Sequence, residues 1–555
     1  MKKTFRTLAS ALLAGGLFLS SCSSSEHISS EQVDMIVYNG VVYTVNDNFD
    51  KAEAFAVKDG KIVEVGSTEE IRSKYTATEE VDAEGKPVYP GLNDAHSHFY
   101  RYGLGLQSAD LVGTTSFKEV VQKVVAQREK YPKADWITGR GWDQNDWQVK
   151  EFPTKDTLDA LFPNTPIILT RIDGHAALVN QKALDLAGIT PQTKMTGGLV
   201  EVRNGKMTGV LVDNAIDLVS AKIPEADKEE QRQALKDAEK NVFAVGITSL
   251  ADAGLDKSTV DLMDEMHKSG DLQMRVYAML SPTQENQDYY FQNGPYKTDR
   301  LNVRSFKVYG DGALGSRGAA LLKPYADKAG HYGFLLSSEK EYRDLAKLLY
   351  EKGFQMNTHA IGDSTNRLLL DIYSEVLGGK NDKRWRIEHA QIINPNDMDK
   401  FGKYSIVPSV QPTHATSDMY WAGDRLGKER IKHAYPFKEL LDQNGWLPLG
   451  SDFPVEDINP FYTFHAAVAR QDADNYPEGG FQPENALSRE EALRGMTIWA
   501  AKAAFEENEK GSIEKGKFAD FIILDEDMMT IAPEKMRQLQ VLRTYLNGKL
   551  VYKKQ

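Results

Sequence analysis

From about residue 90 to residue 505 the chain alternates short apolar strands with amphipathic helical stretches. Candidate strands fall at 166–169, 247–250, 306–309, 355–358, 386–388, 406–410 and 447–450. Helical patterns at 228–245 and 338–352 lie between them. Strands that alternate with helices predict βαβ units and a parallel sheet. The length of the segment suits a (β/α)8 barrel with insertions. No internal repeat interrupts it.

The two ends have a different rhythm. Residues 35–45 form two β-branched runs broken at Asn39-Gly40, and the runs 54–57 and 61–65 flank Asp59-Gly60. Near the other terminus come the apolar runs 521–524 and 541–546, then Asn547-Gly548 and 550–552. Asn-Gly and Asp-Gly between β-branched runs signal tight hairpins. The simplest reading is a small β-sandwich domain built from both termini, residues 34–89 and 506–555, around a large domain at 90–505. Two separate β appendages would give the same pattern.

The first residues stand outside this scheme. Lys2, Lys3 and Arg6 precede the apolar run 12–19, which is too short to span a bilayer. The run ends in Leu19-Ser20-Ser21-Cys22, which resembles a bacterial lipoprotein cleavage box. That resemblance implies a signal peptide at 1–21, a lipid on the thiol of Cys22 and a polar tether at 22–33. The mature protein would then be lipid-anchored in the bacterial cell envelope, at the outer membrane or facing the periplasm. A plain secretory signal is the alternative.

Composition narrows the chemistry. The net charge of −13 argues against nucleic acid as a partner, because phosphate binding needs clustered Lys and Arg. Cys22 is the sole cysteine of the 555 residues, so neither an internal disulfide nor a cysteine-rich metal site can form. Any metal must be held by histidines and carboxylates. A homo-oligomer is compatible with the sequence.

Such groups occur at the ends of the predicted strands. His96 and His98 are two apart in Asp94-Ala95-His96-Ser97-His98, so in a strand both imidazoles share a face. Lys307 lies inside the apolar run Phe306-Lys307-Val308-Tyr309. His359, His389 and Asp452 end Met356-Asn357-Thr358-His359, Arg386-Ile387-Glu388-His389 and Leu449-Gly450-Ser451-Asp452. Catalytic groups of a barrel collect at the C-terminal ends of its strands. This set would therefore converge on one mouth.

These stretches resemble the amidohydrolase superfamily, specifically amidohydrolase family 3 and its YtcJ-like branch with the N-substituted formamide deformylases. The resemblance also rests on Gly139-Arg140-Gly141-Trp142-Asp143, Asp173-Gly174-His175, Asp311-Gly312-Ala313, Gln411-Pro412-Thr413-His414 and Gly516-Lys517-Phe518-Ala519-Asp520, and spans about residues 35–552. It implies a TIM-like barrel with a small β domain. It implies that His96 and His98 hold one divalent metal, zinc by preference, and that His359 and His389 hold a second. Lys307, carboxylated on its amine, would bridge them, with Asp452 as a further ligand and general base. A metal lowers the pKa of bound water and polarises a carbonyl, which suits hydrolysis of a non-peptide carbon–nitrogen bond in a small amide. His175 is expected to bind the substrate carbonyl. His414, Trp142, Asp143 and Arg317 are expected around the substrate. The alternatives are a substrate-binding lipoprotein without catalysis, and a mononuclear deaminase or cyclic-amide hydrolase of the same superfamily.

Overall fold

The computed structural model describes residues 30–555 apart from Gln107, Lys133 and Glu225. The proposed signal peptide, Cys22 and most of the tether lie outside the described residues. The end of the tether is not a tether: the first strand begins at Glu31 (Glu31–Tyr38).

Seven parallel strands form the barrel: β1 (Leu92–Ser97), β2 (Ile247–Leu255), β3 (Arg275–Leu280), β4 (Leu301–Tyr309), β5 (Gln355–Ala360), β6 (Arg386–His389) and β7 (Val407–Ser409). The eighth position is held by residues 447–450, which make one bridge rather than a strand. Gly450 donates its N–H to Val410 at 3.0 Å, and Ala95 donates to Leu449 at 3.0 Å, so this segment joins β7 to β1. Helices pack outside. Lys228–Ala244 starts with Asp227 and Glu230 in a capping box and buries Ala234, Leu235, Ala238 and Val242 on one face. Glu339–Lys352 is capped by Ser338 with Glu341 and ends at Gly353 in the left-handed region, φ 77°.

Two sheets from the termini form the small domain. One runs Lys61–Gly66, Ala54–Lys58, Glu31–Tyr38, Tyr75–Asp82. The other joins Lys549–Lys553, Val541–Leu546 and Phe521–Leu524 to Pro87–Pro90, Val41–Tyr43 and Lys51–Ala52, so its strands come from both ends of the chain. Met35, Val37, Phe55 and Val57 of the first pack on Val42, Val88, Phe521 and Ile523 of the second. Asp59-Gly60 and Asn547-Gly548 are tight hairpins with positive φ at both residues. Asn39-Gly40 is not a hairpin. It carries the chain from one sheet to the other, because 31–38 pairs with 54–58 and 75–82, whereas 41–43 pairs with 51–52 and 87–90.

The stretch 166–169 also differs from expectation. It forms Ile167–Arg171, a strand of a separate six-stranded sheet inserted after β1, in the order Gly198–Arg203, Lys206–Asp213, Ala176–Val179, Ile167–Arg171, Ile137–Trp142, Ala109–Asp110. Ile167 and Leu169 pack with Leu111, Val120, Ile137 and Val210 in a core of their own. An apolar run announces a strand but not which sheet will bury it.

Candidate active site

A cleft of about 1470 Å³ opens at the C-terminal ends of the barrel strands and is walled on one side by the inserted sheet. His98, Lys307, His359, His389 and Asp452 line it, as do Asp143, His175 and His414. His96 stands just behind, fully buried.

The imidazoles form a continuous cluster. Ring centroids lie 5.7 Å apart for His96 and His98, 5.0 Å for His96 and His389, 4.5 Å for His359 and His389, and 5.1 Å for His175 and His359. His98 Nε2 is 3.2 Å from Asp452 Oδ1, and His96 Nε2 is 3.6 Å from the same oxygen. His414 Nε2 is 3.6 Å from Asp452 Oδ2. Among the described residues two ligand sets close within 4.8 Å: His96, His98 and Asp452, and His389, His414 and Asp452. Asp452 belongs to both. His414, expected at the substrate, thus groups with His389, whereas His359 turns its Nε2 toward Gly312 O at 3.5 Å.

The donors fit a divalent cation. His96 Nδ1 is bonded to Glu388, His98 Nδ1 to Ala253 O at 3.1 Å, and His389 Nδ1 to Gln411 Oε1 at 2.7 Å. His96 and His98 thus turn Nε2 toward Asp452, as metal-ligating histidines held at the other nitrogen do, whereas the His389 nitrogen nearest Asp452 is Nδ1, 4.0 Å from Oδ2. Asp452 Oδ1 and His414 Nε2 are buried without a hydrogen-bond partner. Burial lowers the pKa of His96, His359 and His389, and takes His98 to about 3, so these rings offer lone pairs at neutral pH. Burial pushes the Asp452 carboxyl up, but the surrounding His98, His96 and His389 rings hold it well below its usual range. His389 and Asp452 adopt left-handed backbone, φ 72° and 64°, a strain that collects at functional sites.

Lys307 projects from β4 with Nζ 2.9 Å from His96 Nε2. It is buried, and among the described residues no carboxylate comes within 4.0 Å of its Nζ. An ammonium so placed has no ion-pair partner among the described residues; besides His96 it meets the Tyr309 ring, 4.9 Å from its centroid.

Two expected pocket residues lie elsewhere. Trp142 packs on Trp147 at 5.9 Å and Phe152 at 6.1 Å, with Nε1 donating to Leu169 O at 2.7 Å, so it belongs to the inserted core. Trp142→Ala is expected to cost about 3–5 kcal/mol of stability by denaturant melting. Arg317 is turned away from the cleft toward Asp327, Nη2 to Oδ2 2.8 Å. Asp143 lines the cleft but is clasped by Arg171.

Glu388, Gln411 and Asp213 were not anticipated from the sequence. Glu388 joins His96 to Arg386, whose Nε is 2.6 Å away. Its signal was there to read: an acid inside an apolar strand, like the lysine of β4. Burial raises the Glu388 carboxyl, but Arg386 and His96 bring it down to about 2. Its charge therefore stabilises the fold above its ordinary value of 4.5, and that contribution is withdrawn as pH falls toward 2. Glu388→Gln is expected to weaken metal binding about 10–100-fold in chelator competition, and to flatten acid unfolding over that interval.

The profile of the amidohydrolase family matches residues 79–552. The chain belongs to amidohydrolase family 3. It is 31% identical to the putative amidohydrolase YtcJ of Bacillus subtilis (strain 168) over 94% of this chain and 99% of that one. It is 29% identical to the N-substituted formamide deformylase of Arthrobacter pascens over 94% and 98%. A metal-dependent hydrolase from Pyrococcus horikoshii OT3, described as uncharacterized, superposes with a TM-score of 0.74 at 28% identity, over 90% of this chain and 99% of that one. This amidohydrolase is thus a metal-dependent hydrolase acting on carbon–nitrogen bonds. The (β/α)8 barrel expected from the strand rhythm is the fold of the family.

Proposed function

We propose that this amidohydrolase hydrolyses N-acyl or N-formyl amines at a centre of two divalent ions, zinc by preference. The observation that carries the reading is Asp452, shared between two ligand sets with a buried oxygen left unpartnered. His96, His98, His389 and His414 would hold the ions, with His359 beside them. Lys307 would complete the set after its ammonium gives up a proton, the freed Nζ lone pair bonds to the carbon of carbon dioxide, and the nitrogen releases a second proton. The carbamate turns a cation that lacks an ion-pair partner into an oxygen donor. When bound, the metal supplies Lewis acidity and a water of lowered pKa.

The chain's own groups do the rest. Asp452 accepts the proton of the attacking water and returns it to the leaving nitrogen. His175 receives the substrate carbonyl. Its Nδ1 is 2.6 Å from Asp213 Oδ1, and although burial opposes it, Asp213 raises the pKa of the ring, so Nε2–H can donate to an oxygen that gains negative charge. N-benzylformamide tests the reading: the zinc-loaded protein should release formate and benzylamine in equal amounts. No release from that compound or from a panel of N-acyl amines would refute it.

Cys22 as a lipid anchor to a bacterial envelope membrane is part of the same proposal, supported by Leu19-Ser20-Ser21-Cys22. Labelled palmitate should enter the protein in cells and be lost in Cys22→Ser.

A further inference from the structure

Among the cations that line the cleft and that the mechanism does not use are Arg140 and Arg101. Arg140 lies on Ile137–Trp142 of the inserted sheet, and Arg101 on the helix Phe99–Gly105 that follows His98. The register between Ile137–Trp142 and Ile167–Arg171 slips between Arg140 and Trp142, where Gly141 stands at φ 110°. Such a bulge re-aims a side chain out of the strand's alternation. It requires glycine here, because a Cβ at 141 would come 2.5 Å from Val112 Cγ2.

The arginine on the neighbouring strand is neutralised: Arg171 is clamped by Asp143 and Asp173. Arg140 is not. Its Nη2 donates to Ile172 O at 2.7 Å, and its buried Nε has no partner. Among the described residues no carboxylate oxygen lies within 4.0 Å of the guanidinium of Arg140 or Arg101. Asp217 and Asp252 act on Arg101 only from beyond that distance. Burial lowers Arg140 to about 10, which leaves it charged at neutral pH. A half-buried cation without an ion-pair partner in contact is costly, and a guanidinium presents a fork that matches a carboxylate. Both arginines are close enough to the centre to interact with it, Arg140 with Asp452 and Arg101 with His98.

We infer that Arg140, with Arg101 beside it, receives a carboxylate carried by the substrate, so that the favoured substrates are N-acyl amino acids rather than neutral amides. The inference rests on the proposed hydrolysis of N-acyl amines but is tested by binding as well as by turnover. N-benzoylglycine and the neutral N-benzoylglycinamide are titrated calorimetrically into the zinc-loaded wild type, Arg140→Met, Arg140→Lys and Arg101→Met. The wild type should bind the acid about tenfold or more tighter than the amide, as a charge-assisted hydrogen bond gives. Arg140→Met should bring the ratio near one, Arg140→Lys should restore part of it, and Arg101→Met, an exposed site that does not threaten the fold, should reduce it. Equal or undetectable binding of acid and amide by the wild type overturns the inference, as does a preference that survives in both methionine variants. Formate release from N-benzylformamide without any preference for the acid would sink this inference and leave the proposed function standing. Acid preference without hydrolysis of any amide would do the reverse.

Discussion

His96→Ala is expected to lower hydrolysis about a thousandfold or more, the rate equivalent of roughly 4 kcal/mol. His96 is fully buried, its Nε2 faces both Asp452 Oδ1 and Lys307 Nζ, and its Nδ1 is held by Glu388. Removing the ring deletes a ligand from the set that closes on Asp452 and takes from Lys307 its hydrogen bond to His96. Glu388 keeps Arg386, so the barrel should remain folded. The variant should lose metal in elemental analysis while its circular dichroism and its retention on gel filtration match the wild type. Full activity in a well-folded His96→Ala protein would remove this histidine from the centre.

Asp452→Asn separates base from ligand. The amide keeps the shape and can still meet His98, but it cannot accept the proton of water. We expect kcat to fall about 10²–10⁴-fold, the range for loss of a positioned acid–base group, with a smaller loss of metal than in His96→Ala. Asp452 stays ionised in the folded protein because His98, His96 and His389 surround it. Should Asp452→Asn turn over at the wild-type rate, the proton would have to pass through another group, and His414, 3.6 Å from Asp452 Oδ2, is one candidate.

What could be read before the fold was seen follows physical lines. Lys307, His359, His389 and Asp452 stood out because a polar residue at the end of an apolar strand has few reasons to be there except chemistry. The barrel was legible for the same reason that its strands are buried on both faces: β-branched and apolar runs alternate with helical faces. Side-chain direction was not legible. Trp142 and Arg317 sit in conspicuous motifs, yet one fills the inserted core and the other pairs with Asp327, and only the packing decides that. The ring nitrogens were equally hidden, since Nδ1 of each histidine is committed by a residue far away in sequence: Glu388 for His96, Ala253 for His98, Asp213 for His175. Asn39-Gly40 has the composition of a hairpin and a different role, because pairing partners outside the local segment decide where the next strand goes.

The central claim is that hydrolysis depends on a metal held where Asp452 meets the histidines. The direct test measures bound metal and formate release from N-benzylformamide on one sample, before chelation, after it, and after zinc is returned. The account predicts that activity and metal fall together and are restored together, with more than one equivalent of metal per chain at full activity. A chelated protein free of metal that still releases formate at the original rate would contradict it.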